Sequence, residues 1–225
     1  MIIDEIFIFA RGGSKEIRNK NIIKINGKPL IDYTINFAKK INTRKIFVST
    51  DSKKIENLAL RKKVLCIKRP KKLASSTSAE IYSWKHAIRW YEKNYKKTLK
   101  NFISLPTTSP LRKIKDFIAA MNLFNKSNCD LLVAIYKPNH FPSFNIVKKQ
   151  KKNFIKLYDN INTVSTRQKV NDVYNIATCF FIAKRDYILR TNRLYKGRII
   201  GFEVSEESAF DLDTKFQLKI LRKIL

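Results

Sequence analysis

Short apolar runs alternate along the chain with stretches in which apolar residues recur every three or four positions. Residues 6–10 form a continuous apolar run of strand length, and Ile31, Ile35, Ala38 and Ile41 then fall on one side of a helix over 31–41. The same alternation predicts strands over 45–49 and 64–68, a helix over 52–60 capped by Asp51 or Ser52, and a helix over 80–92. Residues 102–105 and 131–135 read as two further buried strands, with a helix over 115–124 between them. Strands that alternate with helices imply a mostly parallel sheet covered on both faces, an α/β fold. From 138 to 175 the rhythm changes. Pro138, Pro142 and the polar tract 148–153 separate short strand-like pieces such as 154–157, which predicts a lobe inserted into a single domain spanning 1–225. The α/β pattern then resumes with a strand over 178–183, a helix from about Arg185, a strand over 199–204 and a closing helix from Thr214.

A formal net charge of +29 changes the picture only if it marks a nucleic-acid partner. Lysine greatly outnumbers arginine, and the lysines are scattered rather than gathered with aromatic residues, as single-strand binders require. The densest group, Lys148, Lys149, Lys151 and Lys152, reads as an exposed turn between strands. A solvated surface is therefore expected, and a nucleic-acid partner is not. No apolar run approaches the roughly 20 residues of a membrane span, and residues 1–10 carry Asp4 and Glu5 without a basic start, so the expectation is a soluble, cytoplasmic protein. Cys66, Cys129 and Cys179 lie far apart in apolar surroundings, which argues against disulfides and zinc.

In an open parallel sheet the ligand lies beyond the carboxyl ends of the strands. The first such loop is Ala10-Arg11-Gly12-Gly13-Ser14-Lys15, where paired glycines permit a tight turn with exposed amides while Arg11 and Lys15 supply positive charge. A polyphosphate is the natural ligand. The spacing matches neither GxxxxGK[ST] nor GxGxxG, which argues against an ATPase or a dehydrogenase. Near the other end, Phe210-Asp211-Leu212-Asp213-Thr214 presents two carboxylates on alternate residues, a pattern that holds a hard cation. Asp213 or Thr214 also suits the N-cap of the last helix. His86 and His140 have no ligand partners at metal spacing and read as structural, while Trp84 and Trp90, in the same helix as His86, read as core or interface rather than a base-stacking platform.

The ordered series ARGGSKEIRNKNI, NGKPLIDYTI, STDS, RPKKLASS, TSPLR, STRQ and FDLDT resembles the cytidylyltransferases that activate sialic acids and related nonulosonic acids, over nearly the whole chain. The resemblance implies a Rossmann-like nucleotidyltransferase fold and the coupling of CTP to an acidic nine-carbon sugar, giving a CMP-sugar and pyrophosphate. It implies that Arg11, Gly12, Gly13, Ser14 and Lys15 hold the triphosphate, that Asn21 contacts cytosine, that Arg69 binds the nucleotide, and that Thr108 and Ser109 approach the ribose. Mg²⁺ is assigned to Asp211 and Asp213, so Arg11, Lys15 and Asp211 are the expected catalytic groups. The inserted lobe resembles a dimerisation element that reaches the partner's sugar site, with Arg167 and Gln168 as sugar contacts; a planar bidentate donor such as Arg167 suits a carboxylate.

Two departures stand out. Pro106 occupies a position where many members carry Gln, and Ser76 one where the family often has Asp; Ser76 and Ser78 then suit capping of the helix that starts near Glu80. The neighbouring readings within the class are an enzyme for an eight-carbon acidic sugar or a sugar-1-phosphate nucleotidyltransferase. From another class comes a basic nucleic-acid-binding protein on a degenerate scaffold of the same kind.

Overall fold

The computed structural model describes residues 3–14, 16–141, 145–158 and 173–225. In chain order the strands are β1 (Ile3–Phe9), β2 (Lys24–Ile25), β3 (Lys28–Pro29), β4 (Thr43–Thr50), β5 (Leu65–Lys68), β6 (Asn101–Ser104), β7 (Leu131–Tyr136), β8 (Val147–Lys149), β9 (Ile155–Leu157), β10 (Asn175–Lys184) and β11 (Ile199–Glu203). The helices are α1 (Leu30–Lys40), α2 (Lys53–Arg61), α3 (Glu80–Tyr95), α4 (Ile114–Lys126), α5 (Arg185–Arg190) and α6 (Lys215–Ile224).

The main sheet has seven strands in the order β11-β7-β10-β6-β1-β4-β5. All pair in parallel except β10, which runs antiparallel between β6 and β7. Mostly parallel is thus the right description, and the one reversed strand starts beside the end of β7, with Asn175 opposite Tyr136. Both faces are covered, so the central strands are apolar throughout: Ile6, Phe7 and Ile8 are all fully buried. Ile31, Ile35 and Ala38 of α1, Ile55 of α2 and Phe117 of α4 cover one face with Ile6 and Ile8. On the other, Trp84, Ile88 and Tyr91 of α3 and Ile188 of α5 cover Phe7, Phe47 and Phe102. Trp84 is core, as its helical spacing predicts.

A third apolar cluster decides where the chemistry sits. Ile17, Ile25 and Leu30 pack with Leu212, Leu218 and Leu221, fastening the start of α6 to the segment that follows β1. Thr214 caps α6 through a reciprocal pair with Gln217: the Gln217 amide donates to Thr214 Oγ1, and Gln217 Oε1 accepts from the Thr214 amide at 2.8 Å. The cap therefore falls to Thr214, which leaves the carboxylates of Asp211 and Asp213 for other partners.

Within the segment read as an inserted lobe, β8 and β9 form a separate two-stranded hairpin joined through Lys151–Asn153. Ile146, Val147, Phe154, Ile155, Leu157 and Tyr158 are all exposed on it, Phe154 at 66%.

Candidate active site

The loops that leave the carboxyl ends of β1, β5 and β6, with Thr178 and Phe181 of the antiparallel β10, surround a cavity of about 430 Å³, within the range of small-molecule sites. Arg11, Ser14 and Lys20 line it from the β1 side, Arg69 and Glu80 from the β5 side, Pro106, Thr107 and Thr108 from β6, and Asp213 from the C-terminal segment.

The β1 loop is held by contacts that its glycines allow. The Gly12 amide donates to Asp51 Oδ1 at 2.9 Å, and a Cβ on Gly12 would lie 3.0 Å from that of Ser52. Asp51 is thus drawn away from capping α2, whose cap position is Ser52 without a side-chain bond, and the Gly12 amide is engaged rather than free for a phosphate. Gly13 is exposed with open space around it. Further along, Asn19 takes a left-handed conformation, φ 58°, that turns the chain into the short helix Lys20–Ile22. Lys20 then reaches the far end of the sequence: its Nζ donates to the Leu212 carbonyl at 3.0 Å and to Asp213 Oδ1 at 2.9 Å. Asn21 is buried and ties two loops together, donating to the Arg11 carbonyl at 2.9 Å and accepting from Thr107 Oγ1 at 2.5 Å.

The β6 loop is fixed from below. Buried Arg112 donates to the Pro106 carbonyl and, at 3.3 Å, to Thr34 Oγ1, while its Nε has no partner. Burial lowers its pKa to about 10, against the opposing pull of Asp211. The backbone of the same loop meets the carboxylate segment where the Leu212 amide donates to the Thr108 carbonyl at 2.8 Å. On β10 the pairing register with β7 shifts between Ala177 and Phe181. That irregularity turns Thr178 into the cavity, in the way β-bulges re-aim side chains beside sites.

Asp211 is half-buried, and its Oδ1 is enclosed without a hydrogen-bond partner. Desolvation raises its pKa, as does the neighbouring Asp213, while the hydroxyls of Thr108 and Thr178 work the other way. An orphaned carboxylate oxygen costs about 1–3 kcal/mol, so its retention here points to a missing cationic partner. Among the described residues no three His, Cys, Asp or Glu side chains gather. The carboxylates of Asp211 and Asp213 are donors of the kind that hold Mg²⁺ together with substrate phosphates and water.

On the β5 side Arg69 is buried. Its Nε donates to Ser49 Oγ at 3.1 Å and its Nη2 to the Ser49 carbonyl at 2.7 Å; burial lowers its pKa to about 10, with Glu80 and Asp51 opposing. Ser76 and Ser78 line the cavity and do not cap α3, whose cap position is Ala79 without a side-chain bond. Ser78 is engaged in a turn instead, its amide donating to Ser75 Oγ at 3.1 Å. Glu80 opens the helix. Solvent reaches it through the cavity, yet it stands deep among protein atoms, and desolvation raises its carboxyl pKa against the Trp84 indole and the charge of Arg69.

Of the residues singled out from sequence, Arg11, Ser14, Asn21, Arg69, Thr108 and Asp213 line one cavity, with Asp211 at its edge beside Thr108 and Thr178. Ser109 does not join them: it is buried, 3.1 Å from Thr178 Oγ1 beneath the β6 loop. Lys15, Arg167 and Gln168 lie outside the described residues. Lys20 follows the β1 turn that the sequence marks for phosphates, whereas Glu80, Thr107, Arg112 and Thr178 were not singled out for the site. Arg112 and Thr107 flank the Thr-Ser-Pro run, where a signal was available; Thr178 carried none, since an irregular strand register is invisible in sequence. Cys179 is buried and donates to the Ser208 carbonyl at 2.7 Å. Burial pushes its thiol up to about 12, which leaves no thiolate for nucleophilic chemistry at neutral pH.

A family model described as "Cytidylyltransferase" matches residues 6–224. The "Post-translational flagellin modification protein B" of Campylobacter coli is 33% identical over 220 residues, 97% of this chain and 93% of that protein. The "CMP-N,N'-diacetyllegionaminic acid synthase" of Campylobacter jejuni is 30% identical with the same coverage of both chains. Among solved structures, that of CMP:2-keto-3-deoxy-manno-octonic acid synthetase complexed with CTP superposes with a TM-score of 0.70, covering 99% of this chain and 98% of the other at 15% identity, a likeness of fold.

Proposed function

The chain belongs to the cytidylyltransferase family, and on that premise we propose that it couples CTP to a nonulosonic acid of the sialic, legionaminic or pseudaminic type, releasing pyrophosphate. The observation that carries the reading is the junction at which Lys20 bonds both Asp213 and the Leu212 carbonyl beside the orphaned oxygen of Asp211. It joins a cation from the β1 loop to the carboxylate of Asp213, within the electrostatic reach of Asp211, which is the charge pattern a triphosphate and its metal require.

In this reading the anomeric hydroxyl of the sugar attacks the α-phosphorus of CTP in line, and the bond to the pyrophosphate oxygen breaks. Positioning and charge neutralisation supply most of the catalysis. Arg11 and Ser14 hold the β and γ phosphates together with Lys15, and Lys20 exchanges Asp213 for phosphate oxygens when CTP enters. Asp211 and Asp213 would hold Mg²⁺, which when bound offsets the negative charge that the attacking oxygen meets. Asn21 fixes the floor on which the nucleoside rests, and Thr108 faces the ribose. Arg167 and Gln168 are proposed to grip the sugar carboxylate across a homodimer, and the exposed apolar side chains of β8 and β9 support such an interface. Among the described residues no helix is long and apolar enough to cross a membrane. A cytoplasmic location belongs to the proposal because both substrates, CTP and the free sugar, are soluble.

The test is pyrophosphate release from each of the four nucleoside triphosphates with Mg²⁺ and a panel of sialic, legionaminic, pseudaminic and eight-carbon acidic sugars. Turnover with CTP and a nine-carbon sugar is expected. Absence of turnover with CTP and every sugar refutes the assignment, and salt-dependent retention of DNA without pyrophosphate release would favour the nucleic-acid reading.

A further inference from the structure

The proposed reaction gives Glu80 no part to play, although it is an acid set in the wall of a basic cavity. Of the described charged groups, the one that most strongly opposes the rise in its pKa is Arg69. Arg69 is itself anchored to Ser49 through Nε and Nη2, so it does not swing to follow a ligand.

The cavity has two chemically different ends. At one, Lys20, Asp211 and Asp213 meet the β1 loop, and the α-phosphorus must lie there for Lys20 and the carboxylates to act on it. The pyrophosphate portion then occupies the loop at Arg11 and Ser14, so the nucleoside must lead away over Pro106 and Thr107. That path ends on the β5 side, at Arg69, Glu80 and the ring of Phe9, all of which line the cavity. A carboxylate at that end repels a phosphate and repels the carboxylate of an acidic sugar. What it attracts is a neutral hydrogen-bond donor, and cytosine carries one on its outer edge as the exocyclic amino group. Uracil presents a carbonyl oxygen at the same place, which a carboxylate repels.

We infer that Glu80 is the specificity-determining residue for the base, its carboxylate accepting from the cytosine amino group and rejecting uracil. The inference rests on the reading of the cavity as a CTP site. Glu80 is well held for base recognition, since it opens a helix whose Ile81 and Trp84 are buried and its Cα is thereby fixed by the core. The dipole of α3 favours a negative charge at this position, and the Trp84 indole and the charge of Arg69 both favour the ionised carboxylate.

The experiment measures binding of CTP and of UTP, without sugar, to the full chain and to its Glu80→Gln and Glu80→Asp variants by titration calorimetry, with the melting temperature of each variant alongside. The wild-type chain is expected to favour CTP. Glu80→Gln, whose amide pairs with either base, should shrink the CTP-to-UTP affinity ratio by about ten- to a hundredfold, the range for a hydrogen bond to a charged group. Glu80→Asp, with the charge kept but drawn back, should weaken CTP without gaining UTP. An unchanged ratio in Glu80→Gln overturns the inference even if melting or turnover falls, because that pattern belongs to a helix-end charge or a proton acceptor. A wild-type chain with no preference overturns it as well. Turnover of CTP with an acidic sugar by the wild-type chain is read separately, so failure of the proposed reaction and failure of the role of Glu80 give different results.

Discussion

Replacing Asp211 by Asn preserves size and removes one negative charge from the edge of the cavity. Three features set the expected size of the effect. The carboxylate has an enclosed oxygen without a partner, it is desolvated, and it stands beside Asp213. In the free enzyme that arrangement is unfavourable, so Asp211→Asn, which removes the desolvated charge and its repulsion by Asp213, should stabilise the metal-free chain by about 1 kcal/mol. For a domain of this length that is roughly 2–4 °C in melting temperature. Activity should move the other way, because an amide binds a hard cation poorly; removal of one preorganised electrostatic group commonly costs about 10²–10³ in kcat. Thermal melts in chelator, followed by pyrophosphate release over a range of Mg²⁺ concentrations, read both arms. A variant that melts lower in chelator, or that turns over at the wild-type rate, would show that Asp211 is a structural acid and that the cation sits elsewhere.

Arg112→Met should cost about 2–3 kcal/mol in denaturant unfolding, since the guanidinium holds the Pro106 carbonyl and Thr34 from a buried position, and its effect on turnover should fall mainly on KM for CTP. Asp130 accepts from the Arg198 amide at 3.0 Å, and this contact, with the cations of Arg198 and Lys184, holds its pKa below the usual carboxylate value. A depressed folded pKa gives stability that is present above the unfolded value and lost as pH falls through the folded one. Asp130→Asn should therefore lower the melting temperature at pH 7 and make progressively less difference in acid below about pH 4. Phe154→Asp, at an exposed site on the β8–β9 hairpin, should convert the expected dimer to monomer in sedimentation equilibrium while leaving the melting of the main sheet nearly unchanged; an unaltered oligomeric state would remove the hairpin from the interface.

The α/β alternation was legible because both faces of the sheet are covered, which forces continuous apolar runs such as Ile6, Phe7 and Ile8 and helical spacing at Ile31, Ile35 and Ala38. Most predicted boundaries fall within a few residues of the observed ones. The reversal of β10 was not legible, since a buried strand reads alike in either direction. Arg11, Asn21, Arg69 and Thr108, which line the cavity, could be singled out because they occupy ordered motifs. Capping by Asp51 was misjudged because its side chain has a long-range partner, the Gly12 amide; at Ser78 the backbone amide instead closes a local turn onto Ser75 Oγ. Local rules weigh a cap against water, and not against an amide brought from 39 residues away. Ser109 failed for a related reason. Its motif is a site motif, but only some of its side chains face the cavity while others hold the loop from beneath.

The cluster of Ile17, Ile25 and Leu30 with Leu212, Leu218 and Leu221 joins the two ends of the chain, and the Lys20–Leu212 bond closes a separation of 192 residues. During synthesis the phosphate loop therefore emerges long before its acidic counterpart. At about 5–20 residues per second, roughly ten to forty seconds pass before Asp213 is made. A nascent chain carries the cations without the carboxylates, and on the proposed mechanism it should be inert. Catalytic competence arrives only with the last long-range closure, so the onset of pyrophosphate release during refolding is a clock for the docking of α6.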